Sequence, residues 1–384
     1  MGALTDVGEQ ALVEDEALSI PAVLNATVVF RPQIQNQKTS TSTTSGSTTT
    51  KTISYGDQVV LIGGRIGPNA GAFVELGGGA FGNHQLFTSF DLGGVKAGLN
   101  YYNTGFGEDA GLQLGNVWGQ HGAMMGMRSV SANQKLFKGE ALGGGQFAGL
   151  AAWAGNDMGA IQIGLVVPSD GTTFGGNFAD PTVPPAQQTA NDIQISTWKA
   201  APMIRAQGFF DVGGMSAEVG AIFVSGNVGD ALGTGGSALN NVNTLFAAGT
   251  QAKLKRWGLE AALEGEMGDT QFGVYADYAS AAKSSGNSVN LYNGFNAARQ
   301  SKTVNGWSIR GTVKPVHNLV LGLGYGQLKR GLTGDVTNKT LHVAAEYEFY
   351  QNFVVALTYT DEKGVGFVNG ATTKTTLLDI EALL

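Results

Sequence analysis

The stretch that decides the fold runs from Asn305 to Tyr359, and its first half reads NGWSIRGTVKPVHNLVLGLGYGQLK over Asn305–Lys329. Trp307, Ile309 and Val313 alternate with Ser308, Arg310, Thr312 and Lys314. Pro315-Val316-His317-Asn318 turns the chain, and Leu319, Leu321, Leu323 and Tyr325 then alternate with Val320, Gly322, Gly324 and Gly326. Past Asn338 the pattern returns, with Leu341, Val343, Ala345, Tyr347 and Phe349 set against Thr340, His342, Ala344, Glu346 and Glu348. Tyr350-Gln351-Asn352 turns it again into Phe353, Val355, Leu357 and Tyr359. Period two places alternate residues on opposite faces of a strand. One face here is apolar and ends in aromatics; the other is small, polar and charged. A sandwich buries such an apolar face against a second sheet. A membrane barrel turns it to lipid and lines water with the other.

The rest of the chain favours the barrel. Glycine is abundant (59 residues) and proline scarce (9), with no collagen period. Dense glycine weakens helices by about 1 kcal/mol each but suits strands whose inner face stays uncrowded. Mean hydropathy is +0.00, as expected when lipid-facing and lumen-facing residues cancel. No run of 18 apolar residues offers a spanning helix. The absence of cysteine excludes disulfides and thiolate metal sites. A net charge of −7 without a basic stripe excludes a nucleic-acid partner. Met1-Gly2-Ala3 opens no basic, then apolar, leader.

The expected organisation is an acidic periplasmic lead-in over residues 1–20 and a single barrel domain over 21–384. A first strand is expected over Pro21–Gln35, and a Ser/Thr surface loop over Lys38–Lys51. Gly67-Pro68-Asn69, Asp91-Leu92-Gly93-Gly94, Gly155-Asn156-Asp157 and Asp211–Gly214 are tight turns between strands. Thr104–Gly122 reads equally as a loop folded into the lumen or as a strand followed by a loop. Pro168–Asn191, Gly226–Asn243 and Ala281–Thr303 read as long loops, and Thr244–Leu263 as one or two strands around Arg256-Trp257-Gly258. Short turns alternate with long loops, the sorting a membrane barrel shows between its periplasmic and extracellular ends. The fold class is therefore all-β: a transmembrane antiparallel up-and-down barrel of about 16–18 strands.

Chemistry-bearing motifs are sparse. His84, His121, His317 and His342 share no metal spacing. There is no G-x-S-x-G elbow, and Gly322–Gly326 lacks the lysine of a phosphate loop. No cofactor and no metal are expected, and the chain reads as a non-enzyme. The useful constellation is the inward row. On the expected strand phases it holds Arg31, Arg65, Lys96, Arg205, Lys253, Lys255, Arg310 and Lys314. Its acids are Glu75, Asp91, Glu218, Glu260, Glu264, Glu266, Asp277, Glu346, Glu348, Asp379 and Glu381. Opposed acidic and basic walls make a transverse field, and the acidic excess points to a mild cation preference. The bland alternative is a set of solvated rim residues and paired wall charges. Trp153, Trp198, Trp257, Trp307, Tyr101, Tyr102, Tyr278, Tyr325, Tyr347, Phe349, Tyr350, Phe353 and Tyr359 fall near strand ends, where interfacial girdles place aromatics.

Gly311-Thr312-Val313-Lys314-Pro315-Val316-His317-Asn318-Leu319, with the strand after it, and Leu341–Phe349 resemble segments of the bacterial outer-membrane porins. Gly115-Asn116-Val117-Trp118 is similar to a segment before the constriction region of some trimeric porins. Phe106-Gly107-Glu108-Asp109 is similar to the acidic constriction loop of general porins. The resemblance implies a water-filled barrel in the outer membrane, commonly a homotrimer, with an inward loop narrowing the pore. Lipid, lipopolysaccharide and small hydrophilic solutes would be its partners. The chain departs from the family in ending Ala382-Leu383-Leu384 instead of on an aromatic. The expected constriction sets Glu108 and Asp109 opposite Arg65, Lys96, Arg205 and Arg310, with Glu346 on the pore wall. The expected function is passive diffusion. The rivals are a plugged structural or adhesive barrel, a barrel enzyme or transporter, and a soluble β-rich surface protein.

Overall fold

The computed structural model describes residues 26–41, 46–56, 58–77, 80–103, 130–133, 146–169, 176–178, 193–197, 199–232, 251–283, 288–290, 303–329, 336–365 and 369–384. They form one closed sheet of sixteen antiparallel staves. The first stave is broken at Arg31 into β1 (Ala26–Phe30) and β2 (Pro32–Ser40), and the second into β3 (Ser47–Tyr55) and β4 (Val60–Gly67). β5 (Ala70–Gly77), then β6 (Ala80–Thr88) with β7 (Phe90–Asp91), and β8 (Lys96–Asn103) make the third to fifth. β9 (Gln146–Asn156) and β10 (Gly159–Ser169) are the sixth and seventh. The short β11 (Gly176–Phe178) and β12 (Ile193–Thr197) precede β13 (Ala201–Val212), the eighth. β14 (Met215–Leu232), β15 (Gln251–Met267) and β16 (Thr270–Ala281) follow, and β17 (Ser288–Asn290) is a short parallel addition to β15. β18 (Val304–Val316), β19 (Leu319–Lys329), β20 (Asn338–Tyr350), β21 (Phe353–Lys363) and β22 (Thr372–Leu383) complete the ring.

Closure is made where β22 pairs with the first stave, Val29 opposite Leu383 and Gln33 opposite Asp379. Among the described residues no edge stave of the sheet then remains, the condition for a β-structure to cross lipid. The decisive stretch behaves as its alternation demands. Leu321 and Leu323 are exposed on the outside while Val320, Gly322 and Gly324 are buried within. Trp307 and Ile309 point outward and Ser308, Arg310 and Thr312 inward. Exposed Leu150, Ile163, Leu165, Leu259, Val274 and Leu357 extend the outward apolar band around the barrel.

Most short turns gather at one end; the tight connection in which Gly77 pairs with Ala80 lies at the other. Gly213 and Gly214 have φ of +63° and +83°, conformations that glycine reaches without Cβ strain. Asn352 takes φ +67° in the turn between β20 and β21, where asparagine is the tolerated non-glycine residue. The turn before β19 is His317-Asn318 alone; Pro315 and Val316 remain in β18, beside a bulge.

The long-connection end differs from expectation in two places and decides between two readings in a third. Most of Lys38–Lys51 is hairpin and not loop: β2 reaches Ser40, which lies opposite Ser47 of β3. β-branched threonine fits a pleated ladder, and an exposed hairpin needs no core. β14 likewise runs on to Leu232, into the segment expected as a loop. β15 passes through Arg256-Trp257-Gly258 as one strand. A tilted strand crosses a membrane in about 9–11 residues. The 18 residues of β14 and 17 of β15 therefore stand well clear of it. The expected first strand begins, among the described residues, at Ala26, and the lead-in over 1–20 lies outside them.

The aromatics sort more finely than position near a strand end suggests. Trp257 stacks near Tyr278 (5.2 Å) and Trp307 near Tyr325 (5.7 Å) towards the long-loop end. Tyr347, Phe349 and Phe353 cluster at the short-turn end, with centroids 4.7 and 6.3 Å apart. Trp153 and Tyr102 correct the expected girdle, because both lie on the inner face. Trp153 shares its phase with buried Ala151, and its indole N–H donates to Thr88 O at 3.1 Å. Tyr102 is fully buried, and its hydroxyl donates to Met203 Sδ at 3.6 Å.

Candidate functional site: the lumen wall

The inner faces of β13 to β18 carry an interleaved set of charges. Arg205 on β13 donates from Nη2 to Glu260 Oε1 on β15 at 2.6 Å, reaching across β14. Gly220 makes that reach possible: a Cβ there would stand 2.3 Å from the same carboxylate oxygen. Next to Glu260 in register is Asp277 on β16. Arg310 on β18 approaches Asp277 at 3.8 Å and lies 5.7 Å from the Tyr275 ring centroid. The Tyr275 hydroxyl donates to Glu264 at 2.6 Å, and Gly273 leaves the space it occupies. Two acids, Glu260 and Asp277, thus stand side by side between two arginines over five of the sixteen staves, each acid facing one arginine.

A described fragment of the connection between β8 and β9 packs against this wall. Ser131 Oγ donates to Asp277, Ala132 N donates to Asp277 Oδ1 at 2.9 Å, and Asn133 Nδ2 donates to Leu259 O at 3.0 Å. Ser308 Oγ adds a bond to Asp277 at 2.6 Å. Three wall glycines make the seat. A Cβ on Gly326 would meet Val130 O at 2.2 Å, one on Gly258 would meet Asn133 Oδ1 at 2.1 Å, and one on Gly306 would meet Ala132 Cβ at 3.2 Å. Residues 130–133 are buried. At this fragment the connection enters the lumen; Thr104–Gly122, for which loop and strand were both open, lies outside the described residues.

A second cluster closes the seam. Arg31 donates to Asp379 Oδ2 from Nη2 at 2.5 Å and from Nε at 2.8 Å, and stands 3.6 Å from Glu381. Gln33 Nε2 donates to the same Asp379 oxygen at 3.2 Å.

The expected site residues separate into groups. Arg205 and Arg310 stand on the charged wall just described. Glu346 is buried on the inner face of β20. Arg65 faces inward but turns back on its own hairpin, donating to Gly67 O at 3.0 Å and Pro68 O at 2.9 Å. Lys96 is exposed at the short-turn rim, opposite Asp91. Glu108 and Asp109 lie outside the described residues, as does His121. Lys253 and Lys255, expected inward, are on the outer face: they share the phase of exposed Trp257 and Leu259, while Leu254, Arg256 and Glu260 are buried within. Arg256, absent from the expected row, is 1% exposed. Its parity with Glu260 was the available signal, obscured while one strand and two were both open around it. His342 faces inward and shares a 2.8 Å bond with Thr360. His84 lies beside Tyr101 at 3.3 Å.

No protein-family profile and no curated protein matches the chain. Among solved structures it is similar to the outer membrane channel DcaP of Acinetobacter baumannii, with a TM-score of 0.54 at 10% identity over 94% of this chain and 97% of that one. The chain has the fold of an outer-membrane channel barrel. The porin resemblance in the sequence holds at that level. A loop-deletion mutant of OmpT, an outer membrane protein of Vibrio cholerae, gives 0.48 at 13% identity over 94% and 99% of the two chains. A porin gives 0.47 at 10% identity over 94% and 100%. The fold assignment rests on the first of the three.

Proposed function

We propose that this chain is a bacterial outer-membrane porin that passes ions and small hydrophilic solutes passively, with a mild cation preference and no catalytic step. The observation that supports this most directly is the alternation of β13 to β18: charge inside and an apolar band outside, with Lys253 and Lys255 on the outer face only beyond Trp257, towards the long-loop end. A charge at mid-membrane on the lipid face costs about 2–4 kcal/mol, and in that band the charges stand inside. The constriction combines the charged wall at Arg205 and Arg310 with Glu108 and Asp109 of the inward connection. Arg65 and Lys96 act at the short-turn mouth, and Glu346 adds to the acidic side. The likeness to DcaP, described as an outer membrane channel, agrees with this reading.

A homotrimer in the outer membrane is part of the same proposal. The outward faces of β9 and β10, with Leu150, Ala152, Ile163 and Leu165, carry neither aromatics nor charge. Such a face suits another copy as well as lipid. Single-channel recording of detergent-purified protein in a planar bilayer under a salt gradient tests the function. Stable steps with a cation-selective reversal potential support it, and grouping of steps in threes supports the trimer.

One observation favours a second reading, a plugged structural barrel. Arg205, Arg256, Glu260, Asp277 and Arg310 are all no more than 5% exposed, so other protein groups and not open water surround that part of the wall. Insertion without conductance would select this reading.

A further inference from the structure

The third and fourth staves make a low hairpin. β5 has 8 residues and β6 has 9, against 13 in β18 and in β20. A tilted strand needs about 9–11 residues to cross a membrane, so β5 stops short of a full crossing where Gly77 pairs with Ala80. The second stave runs past that turn. Val59 lies beside Gly77: a Cβ on Gly77 would stand 3.1 Å from Val59 Cγ1. Beyond Val59 the stave continues through β3, from Tyr55 to Ser47, paired on one side with β2. Among the described residues no strand pairs with its other side. Every residue of β3 except Ser54 is exposed.

Ile53 and Tyr55 on this open strand are 82% and 64% exposed, whereas Leu323 and Leu357, flanked by a full stave on each side, are 56% and 53% exposed. Both belong to the outward apolar band, Ile53 opposite Ile34 and Tyr55 with its ring 5.8 Å from that of Phe30. The apolar band therefore continues up the second stave after the third has ended. The wall has a notch there, at the height of the lipid chains. An open strand edge is tolerated at membrane depth only where it borders water or protein. With β3 exposed along its length, the border is water, and the notch joins the lumen to the side of the barrel.

The inner face below the notch is unlike the charged wall of β13 to β18. Val29, Val59, Leu61, Phe73 and Phe87 share the inward phase of Arg65 over the first four staves. Val29 and Val59 are buried, and Phe73 and Phe87 half-buried. A Cβ on Gly63 would meet Phe73 Cδ2 at 3.3 Å, and one on Gly71 would meet Phe87 Cε1 at 3.1 Å. Each ring thus lies across a glycine of the preceding stave and paves the wall. Glu75, opposite Leu61, and Gln85, opposite Phe73, add polar groups to this strip.

We propose that the strip and the notch form a side portal, through which a small amphiphile with an aromatic body and one hydrogen-bond donor passes from the lumen into the membrane. The strip takes the apolar body, because that contact removes apolar surface from water. Glu75 and Gln85 accept from the donor. The notch releases the solute among acyl chains at the height of Ile53 and Tyr55. The proposal rests on the outer-membrane reading above and goes beyond it, since a fully hydrophilic solute gains nothing from a side exit.

The test uses cells whose outer membrane carries the full-length protein and no other porin. The probe is 1-N-phenylnaphthylamine, an aromatic amine that fluoresces on reaching phospholipid. We expect faster entry than in cells without the protein. Phe73→Gln/Phe87→Gln should slow that entry about ten-fold while keeping the heat-dependent gel shift of a folded barrel. Should the double variant fail to fold, Phe73→Gln is measured alone, and about a three-fold slowing is expected. Entry no faster than in cells without the protein overturns the proposal, as does unchanged entry in the folded variant. The chain has no cysteine, so Ile53→Cys reports on the notch directly. Disulfide-linked pairs of this variant in the native membrane would show a second copy covering the notch, and would overturn the portal. Conductance of the unaltered protein, recorded in parallel, tests the pore separately. Open steps without probe entry overturn the portal alone, and probe entry without open steps upholds the portal and removes the diffusion pore.

Discussion

The backbone N–H of Ala132 donates to Asp277 Oδ1 at 2.9 Å, and this bond fastens the connection after the fifth stave to the inner face of the eleventh. The same carboxylate accepts from Ser131 and Ser308 and faces Arg310. Replacing Asp277 by Ala strands these donors, and each buried group left unsatisfied costs about 1–3 kcal/mol. The barrel ladder does not depend on them. We expect a folded barrel with larger, noisier single-channel currents. Currents unchanged in size and noise would show that residues 130–133 do not narrow the path.

Gly326 reaches the same fragment from the other side. An alanine Cβ there would lie 2.2 Å from Val130 O, a backbone atom that can move only with its segment. Gly326→Ala should therefore reproduce the conductance change of Asp277→Ala. Gly311, whose nearest atom is Gly273 O at 3.8 Å, serves as control: Gly311→Ala should leave the current as it is.

The seam depends on Arg31 and Asp379, joined by two bonds on one carboxylate oxygen. Removing one partner of a buried pair costs about 3–5 kcal/mol. Asp379→Ala should lower the temperature at which the barrel loses its compact gel mobility, and Lys374→Ala, at an exposed pair, should scarcely move it.

Selectivity is read from reversal potentials in a potassium chloride gradient. Neutralising inward acids by Glu264→Gln and Glu346→Gln should shift the potential towards zero, because the wall loses negative charge. Arg310→Gln should shift it the other way, raising cation preference. If all three leave the potential unchanged, the wall charges are paired structure and set no preference.

Leu323 is 56% exposed in the outward row of β19. Leu323→Arg should destabilise the barrel by about 2–4 kcal/mol in urea titrations from lipid vesicles. Gln327→Arg, four residues nearer the long-loop end, should cost about 0–1 kcal/mol. Equal costs at the two positions would mean that the apolar band does not face lipid.

Alternation was enough to read the strands and their two faces, because a strand's period of two is local: Trp307 and Arg310 declare opposite faces without any partner, and the sorting of short turns from long loops then chose the barrel over the sandwich. The same rule placed Arg205, Glu260, Asp277 and Arg310 on the inside correctly. It failed at Lys253 and Lys255 because Thr244–Leu263 was left open as one or two strands, so the phase was not carried through Arg256, and a one-residue slip in phase exchanges the faces. It failed at Trp153 and Tyr102 because an aromatic near a strand end is compatible with either face. The Ser/Thr run Lys38–Lys51 shows a different limit. Composition reports that no core is buried there, while pairing of Ser40 with Ser47 depends on the two neighbouring staves being held together below.

What the sequence by itself determined is the class of structure: antiparallel strands with one lipid-compatible face, and short turns at Gly213-Gly214 and Asn352. Those properties belong to single strands and single turns. What only the tertiary structure decided is which charges meet. Arg205 finds Glu260 across a third strand, through the gap at Gly220. Asp277 receives a fragment distant in the chain. Gly326, Gly258 and Gly306 come from three strands to seat one fragment. Each of these depends on the stagger between staves, and stagger is set when the barrel closes, by β22 against the first stave. No local pattern carries that information, because the sum of all sixteen registers fixes it.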